Sequence, residues 1–270
     1  MEIKQLRYFL TVAEEGNLTK ASRKLHTVQS NTTSKIKKLE DELGHELFIR
    51  SKRGMELTNK GVTLVHYAKQ ILDAETNITR LMDNETDPVG VLSIACLDTF
   101  IRIYLHNIIP RFVKAFPNVE FELQTAFNNE LIQMLEDGTA DMVGVVGSKE
   151  FSNYETVFKR KEKIVLLSKT PNYSEHPLLI LGKECFFGQT LLKQFSKNKI
   201  LKIASVESIL TSVSSGIGIT LLPESLVRSG NNEDLIKQTI NQDCEYYLIR
   251  KKRRPWSSSE KEFSKMLCSS

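Results

Sequence analysis

The first 61 residues constrain this chain more than any other stretch: three short apolar-periodic segments, parted by turn residues, can bury a core only as a compact helical unit. Leu6, Phe9, Leu10 and Ala13 recur at i, i+3, i+4 and i+7, one face of an amphipathic helix that Gly16 ends. Asn17 is placed to cap a second helix in which Leu18, Ala21 and Leu25 face the same core. A third helix turns Ile36, Leu39 and Leu43 inward, while its first turn offers Gln29, Ser30, Asn31, Thr33 and Ser34, small hydrogen-bonding groups with no core to fill. A helix that enters the major groove of DNA needs such groups near its N-terminus and cations further along to meet phosphates; Lys35, Lys37 and Lys38 supply the cations. After Gly44, two apolar stretches around a basic turn read as a hairpin wing, with Lys52 and Arg53 at its tip to reach a minor groove or the backbone.

Charge supports this reading independently. Residues 1–60 carry 12 Lys/Arg against 8 Asp/Glu, which is the whole formal excess of +4, and the remaining 210 residues balance at 25 of each sign. The cationic character therefore sits on the small domain that would meet phosphates.

At 270 residues there is room for roughly two domains. No apolar run reaches a membrane span and the N-terminus lacks a signal peptide's apolar core, so a cytoplasmic protein without a membrane partner is expected. Cys96, Cys185, Cys244 and Cys268 are too few and too scattered for a disulfide framework, and no Cys/His cluster suggests a metal; neither metal nor cofactor is expected.

From Thr58 to about Met82 the pattern becomes one long helix. Leu64, Ala68, Ile71, Glu75, Ile78 and Met82 alternate spacings of four and three, the a/d rhythm of a two-helix seam, so Leu64, Ala68, Ile71, Ile78 and Met82 are the expected dimerisation residues. Asp83–Gly90 reads as a hinge. Beyond it strands and helices alternate: strands at Val91–Cys96, Val119–Thr125, Asp141–Val146, Lys163–Leu167, Leu178–Leu181, Ile200–Ile203 and Ile217–Leu222, with helices between them. That alternation implies parallel pairing and two α/β halves with a cleft at the strand ends. The run Arg250–Arg254 reads as a solvated surface loop, and Gly216-Ile217-Gly218 as a turn.

Leu6-Arg7-Tyr8-Phe9, Ala21, Leu25-His26, Gln29, Ile36, Leu39-Glu40, Leu43-Gly44, Leu47-Phe48, Arg50, Arg53-Gly54, Leu57-Thr58 and Gly61 together resemble the N-terminal domain of LysR-type transcriptional regulators. The resemblance continues through Asp98-Thr99, Phe116-Pro117, Glu130-Leu131-Ile132, Asp141, Ser205–Ile209 and Ser215–Pro223, and so covers nearly the whole chain. It implies an α+β multidomain protein: a winged helix-turn-helix at 1–58, a linker helix and hinge at 59–88, and an α/β effector domain at 89–270 similar to periplasmic solute-binding proteins. The halves are placed at 89–161 with 252–270 and at 162–251, with crossings near Glu162 and Lys251. The implied partners are double-stranded DNA carrying an interrupted inverted repeat, a small-molecule effector, a second copy of the chain as homodimer or dimer of dimers, and RNA polymerase.

By position, the effector candidates are Thr99, Phe100, Asn128, Cys185, Phe187, Gln189 and Ser205. Thr99 and Ser205 would stand near helix N-termini, which favour an anion, or would simply cap them. Related sequences often carry Gly-Cys-Ser-Tyr-Arg where this chain has Gly182–Gln189 and keeps only the Cys; losing the Arg removes a carboxylate clamp and makes the pocket less polar. Cys185, before a helix start and near Lys183, leaves a thiol sensor as the alternative, with Cys96 placed to face the same cleft. An α/β enzyme is the third reading, but His26, His45, His66, His106 and His176 form no catalytic constellation, so no catalytic residue is assigned.

Overall fold

The computed structural model describes residues 1–51, 54–82, 87–147, 151–228 and 235–269. The candidate wing-tip residues Lys52 and Arg53, and most of the expected hinge, lie outside the described residues, as does the side chain of Met82. Two compact units result: Met1–Val91 with Asn118–Glu120, and Leu92–Pro117 with Phe121–Ser270.

In the first unit, α1 (Ile3–Glu15) and α2 (Leu18–Lys24) are parted by Gly16 in the left-handed conformation, φ 57°. Asn17 caps α2, its Oδ1 accepting from the backbone N–H groups of Thr19 and Lys20 at 2.9 and 3.1 Å. The reading helix α3 (Gln29–Leu43) follows, then the hairpin β1 (Phe48–Ser51) and β2 (Gly54–Leu57) and the long α4 (Asn59–Met82). Gly54 has no room for a side chain, because a Cβ would stand 2.2 Å from the carbonyl oxygen of Gly16; Met55 N–H donates to that same oxygen at 2.8 Å and pins the wing to the α1–α2 turn. Leu6, Phe9, Ala21, Ile36 and Leu39 form the core, as their periodicity predicts, whereas Leu43, expected to turn inward with them, is exposed at the end of α3.

The expected dimer seam is divided. Ala68 is wholly buried in this core and Leu64 and Ile71 pack against it, because α4 lies on α1. Ile78 alone of the described seam residues faces outward, 60% exposed.

The second unit contains a six-stranded sheet of order β4-β3-β5-β10-β6-β9, where β3 is Gly90–Cys96, β4 Val119–Thr125, β5 Met142–Gly147, β6 Tyr154–Ser168, β9 Thr220–Pro223 and β10 Ile236–Lys251. β3 and β5 pair in parallel, as alternation predicts, but β10 runs antiparallel to both β5 and β6, and β6 antiparallel to β9. A separate parallel pair joins β7 (Leu178–Ile180) to β8 (Ile200–Lys202). The helical segments are α5 (Asp98–Phe100), continued by a π-helical turn at Ile101–Leu105, then α6 (Ile108–Ala115), α7 (Asn128–Asp137), α8 (Phe186–Gln194), α9 (Val206–Ser214), α10 (Glu224–Arg228) and α11 (Ser258–Cys268).

Two expectations need correction here. The strand expected at Lys163–Leu167 is only the buried end of a 15-residue strand, whose first part alternates polar residues around buried Phe158 and so lacks an apolar run. The second crossing between halves is not near Lys251: Glu245–Ile249 already pair with β5, so β10 changes halves near Asp243–Cys244, opposite Glu162.

The basic run is not a solvated loop either. Arg250 is 1% exposed and donates to Glu155 at 2.6 Å and to the carbonyls of Arg254 and Pro255 at 2.8 and 3.0 Å, with its guanidinium 4.2 Å from the centre of the Trp256 ring. Buried Glu260 lies 3.5 Å from Arg250 and 3.3 Å from Arg254, which also donates to Asp141 at 2.6 Å. This cluster fastens α11 to the sheet. Removing one partner strands a buried charge, so Arg250→Ala is expected to cost about 3–5 kcal/mol in urea denaturation of the full chain. Lys252→Ala, at an exposed site, should stay within about 0.5 kcal/mol of wild type; equal urea midpoints for the two variants would contradict the role of the cluster.

Candidate functional site

Two surfaces gather the candidate residues. On α3, Gln29, Ser30, Ser34, Lys37 and Lys38 are exposed, and Thr33 and Lys35 are half-buried. Asn31 is less free than its position suggests, for its Nδ2 donates to Thr27 Oγ1 at 2.8 Å and to Tyr8 Oη at 3.2 Å. Lys35 and Lys38 both reach Glu2, at 3.2 and 2.9 Å, and these two ammonium groups hold its carboxyl down at about 2. Thr32 is buried and shares a 2.8 Å hydrogen bond with Ser22, closing α2 on α3. The face open to a partner is therefore the exposed polar first turn, where Gln29 Oε1 accepts from Thr19 Oγ1 at 3.2 Å, with Lys37 behind it.

The second surface is a cavity of about 410 Å³ where the strands of the C-terminal unit end. Leu97, Asp98 and Thr99 enter it after β3, Thr125 to Phe127 after β4, Val146 at the end of β5, and Leu179 to Leu181 from β7. Cys185, Phe187 and Gly188 come from the start of α8, Ala204 to Val206 from the start of α9, and Thr220 to Leu222 from β9. Gly188 is needed there, since a Cβ would stand 2.5 Å from the carbonyl oxygen of Gly182.

Four expected effector residues thus line one cavity: Thr99, Cys185, Phe187 and Ser205. Thr99 Oγ1 accepts from buried Tyr246 Oη at 2.7 Å, and Ser205 Oγ accepts the Ser208 N–H at 3.1 Å as the cap of α9. Three others lie elsewhere. Phe100 is buried in an aromatic cluster with Tyr104, Phe158 and Tyr246, ring centres 5.1 to 6.0 Å away. Asn128 is spent on the β5 backbone, donating to the Val146 carbonyl and accepting the Val146 N–H at 3.2 Å. Gln189 is exposed and turned away on α8, because its neighbours Phe187, Gly188 and Thr190 take the buried face. Asp98, Phe127 and Glu130 line the cavity without having been expected to; all three stand immediately after a strand or in the first turn of a helix, the positions where such folds present ligand groups.

Cys185 is only 6% exposed, and burial pushes its thiol above the usual range, with the negative charge of Glu184 acting in the same direction. The backbone N–H groups of Gly188 and Phe187 at the start of α8 pull the other way, and burial outweighs them. Cys96 does not face the cavity: it is fully buried, with Sγ packed where a side chain on Gly144 would be, and its thiol is raised well above the usual range by burial.

The family model for the bacterial regulatory helix-turn-helix protein, lysR family, matches residues 3–62, and that for the LysR substrate binding domain matches residues 85–268. HTH-type transcriptional regulator CzcR of Bacillus subtilis (strain 168) is 34% identical over 238 residues, spanning 84% of this chain and 82% of that protein. HTH-type transcriptional regulator YofA of the same organism is 32% identical over 236 residues, 84% of this chain and 83% of that protein. Among solved structures, a full-length OxyR variant from Pseudomonas aeruginosa aligns with TM-score 0.70 at 22% identity, covering 100% of this chain and 94% of that one. Full-length CbnR complexed with its target DNA aligns with TM-score 0.63 at 22% identity, covering 100% and 99%. At that identity these two structures show a shared fold.

Only a thiolate alkylates quickly, so the raised Cys185 thiol is expected to resist iodoacetamide at neutral pH while exposed Cys268 is labelled first. Peptide mass spectrometry of the folded chain, before and after urea, reads this directly. Labelling of Cys185 ahead of Cys268 would contradict it.

Proposed function

The chain belongs to the LysR family of DNA-binding transcriptional regulators, and from that premise we propose how its two surfaces divide the work. The first turn of α3 reads base edges in the major groove through Gln29, Ser30, Thr33 and Ser34, with Lys37 on the phosphate backbone. Lys35 and Lys38 exchange their contact with Glu2 for phosphates when DNA arrives. Asn31 acts mainly as a brace from α3 to Tyr8, which fixes the insertion angle of the helix. The observation that carries this division is exposure on one helix: Gln29, Ser30 and Ser34 face solvent, whereas Asn31 is half-buried and held by Thr27 and Tyr8.

In this reading the chain works as a homodimer or a dimer of dimers on an interrupted inverted repeat, alongside RNA polymerase in the cytoplasm. The seam runs along the side of α4 that its own core leaves free: Tyr67, Ala74 and Ile78 are exposed at spacings of seven and four, beside the buried stripe of Leu64, Ala68 and Ile71. A small molecule in the C-terminal cavity sets the output. The burial of Cys185 among the cavity's lining residues supports reading that side chain as part of the wall, with a redox sensor as the second reading.

On a DNA fragment selected for binding, Gln29→Ala and Ser34→Ala should each cost about 1–3 kcal/mol and flatten sequence preference. Lys37→Ala should weaken all DNAs alike and reduce the salt slope by about one. Fluorescence anisotropy on selected and scrambled duplexes over a salt series separates the two behaviours. Equal losses on both duplexes for all three variants would contradict the assignment of roles.

A further inference from the structure

The cavity, if it is the effector site proposed above, has a charge pattern that decides what enters it. Three helices of nine or ten residues begin at its rim, α7, α8 and α9, and their free N–H groups and dipoles are the usual attraction for an anion. Two of these ends carry a carboxylate in the first turn, Glu130 of α7 and Glu207 of α9, and Glu184 precedes the Cys185 cap of α8. Glu130 is bound to its own helix end, accepting the Phe127 N–H at 3.0 Å. Asp98, at the start of α5, lines the cavity as Glu130 does, and no Lys, Arg or His is among the described residues that line it. Arg102, the cation beside Asp98, is shared between Asp98 and Glu207 at 3.0 Å each, and Lys183 is exposed and does not line the cavity.

Two of the lining hydroxyls give their proton to the protein itself, and Thr99 serves as an acceptor. Thr220 donates to the Leu179 carbonyl at 2.9 Å, Ser205 to Ser208 Oγ at 2.9 Å, and Thr99 receives Tyr246. An anionic ligand would lose its hydration, meet two rim carboxylates and find no cation to pair with among the described lining residues. We infer that the effector of this chain is a largely apolar small molecule that is uncharged or positively charged, and that carboxylate and phosphate metabolites are excluded from the cavity. The apolar wall, with Phe127 and Phe187 among its members, supplies the affinity, and Asp98 and Glu130 supply the selection of charge.

The test uses the full chain and three probes of one carbon skeleton, 4-phenylbutylamine, 4-phenylbutanol and 4-phenylbutyrate, titrated at low salt by ligand-observed NMR. Ala204→Trp and Thr125→Trp, at exposed lining positions just ahead of α9 and at the end of β4, act as two independent plugs. The amine and the alcohol should bind roughly tenfold tighter than the carboxylate. Glu130→Gln, which keeps an oxygen for the Phe127 N–H, should narrow that gap by roughly threefold, and either plug should remove binding of all three. A carboxylate that binds as tightly as the amine, and is lost in the plugged variants, would overturn the ligand class while leaving the cavity as the effector site. Binding that survives both plugs, or failure of all three probes to bind up to their solubility, would overturn the cavity reading and the inference with it.

Discussion

The C-terminal domain depends on one interaction above the others, the long antiparallel ladder between β6 and β10, which runs from Tyr154 opposite Lys251 to Ser168 opposite Ile236. One end of β10 also pairs with β5 and one end of β6 with β9, so a single two-stranded ribbon passes through both halves. At its middle Glu162 faces Cys244, and the Glu162 carboxylate accepts from Tyr104 at 2.6 Å and from Ser225 at 2.7 Å. Those bonds bring the π-helical turn behind Thr99 and the helix α10 behind β9 to the same point on the ribbon, which fixes opposite walls of the cavity. A change in the angle between the halves must act on this ribbon.

The cavity follows from that arrangement. The strands end together, the helices that follow them begin together, and the fold leaves backbone N–H groups around an apolar space. Side chains then decide how the space is used. In this chain the carboxylates of Asp98, Glu130 and Glu207 sit in first turns of helices, where they stabilise the helices and oppose the potential that would draw in an anion. The absent Arg after Cys185, legible in the sequence, and the carboxylate rim, legible only once the strand ends are brought together, point the same way.

The helix-turn-helix could be read from the chain because its information is local. Apolar residues at i, i+3 and i+4, an Asn cap and glycine stops act within a turn or two, and Leu6, Phe9, Ala21, Ile36 and Leu39 are buried where that spacing puts them. Readings that needed distant partners fared worse. Arg250 looked solvated among four other cations because Glu155, Glu260 and Trp256, which bury it, come from a strand and segments that only the fold assembles. Ala68 fits a dimer seam by spacing alone, yet α1 reaches it first. Phe100, next to Thr99, turns into the aromatic core because neighbouring positions on a helix face in different directions, which proximity in sequence conceals.

The central claim is that a small molecule held by the C-terminal cavity governs this regulator. It is tested most directly by crystallising the full chain after incubation with small-molecule extract from its own host, together with native mass spectrometry of the same sample. The account predicts one bound molecule per chain, uncharged or cationic by mass and fragmentation, with density between Phe127 and Phe187 and in contact with Thr99 and Cys185. A mass shift whose density lies outside the cavity, with only water between those side chains, would contradict it.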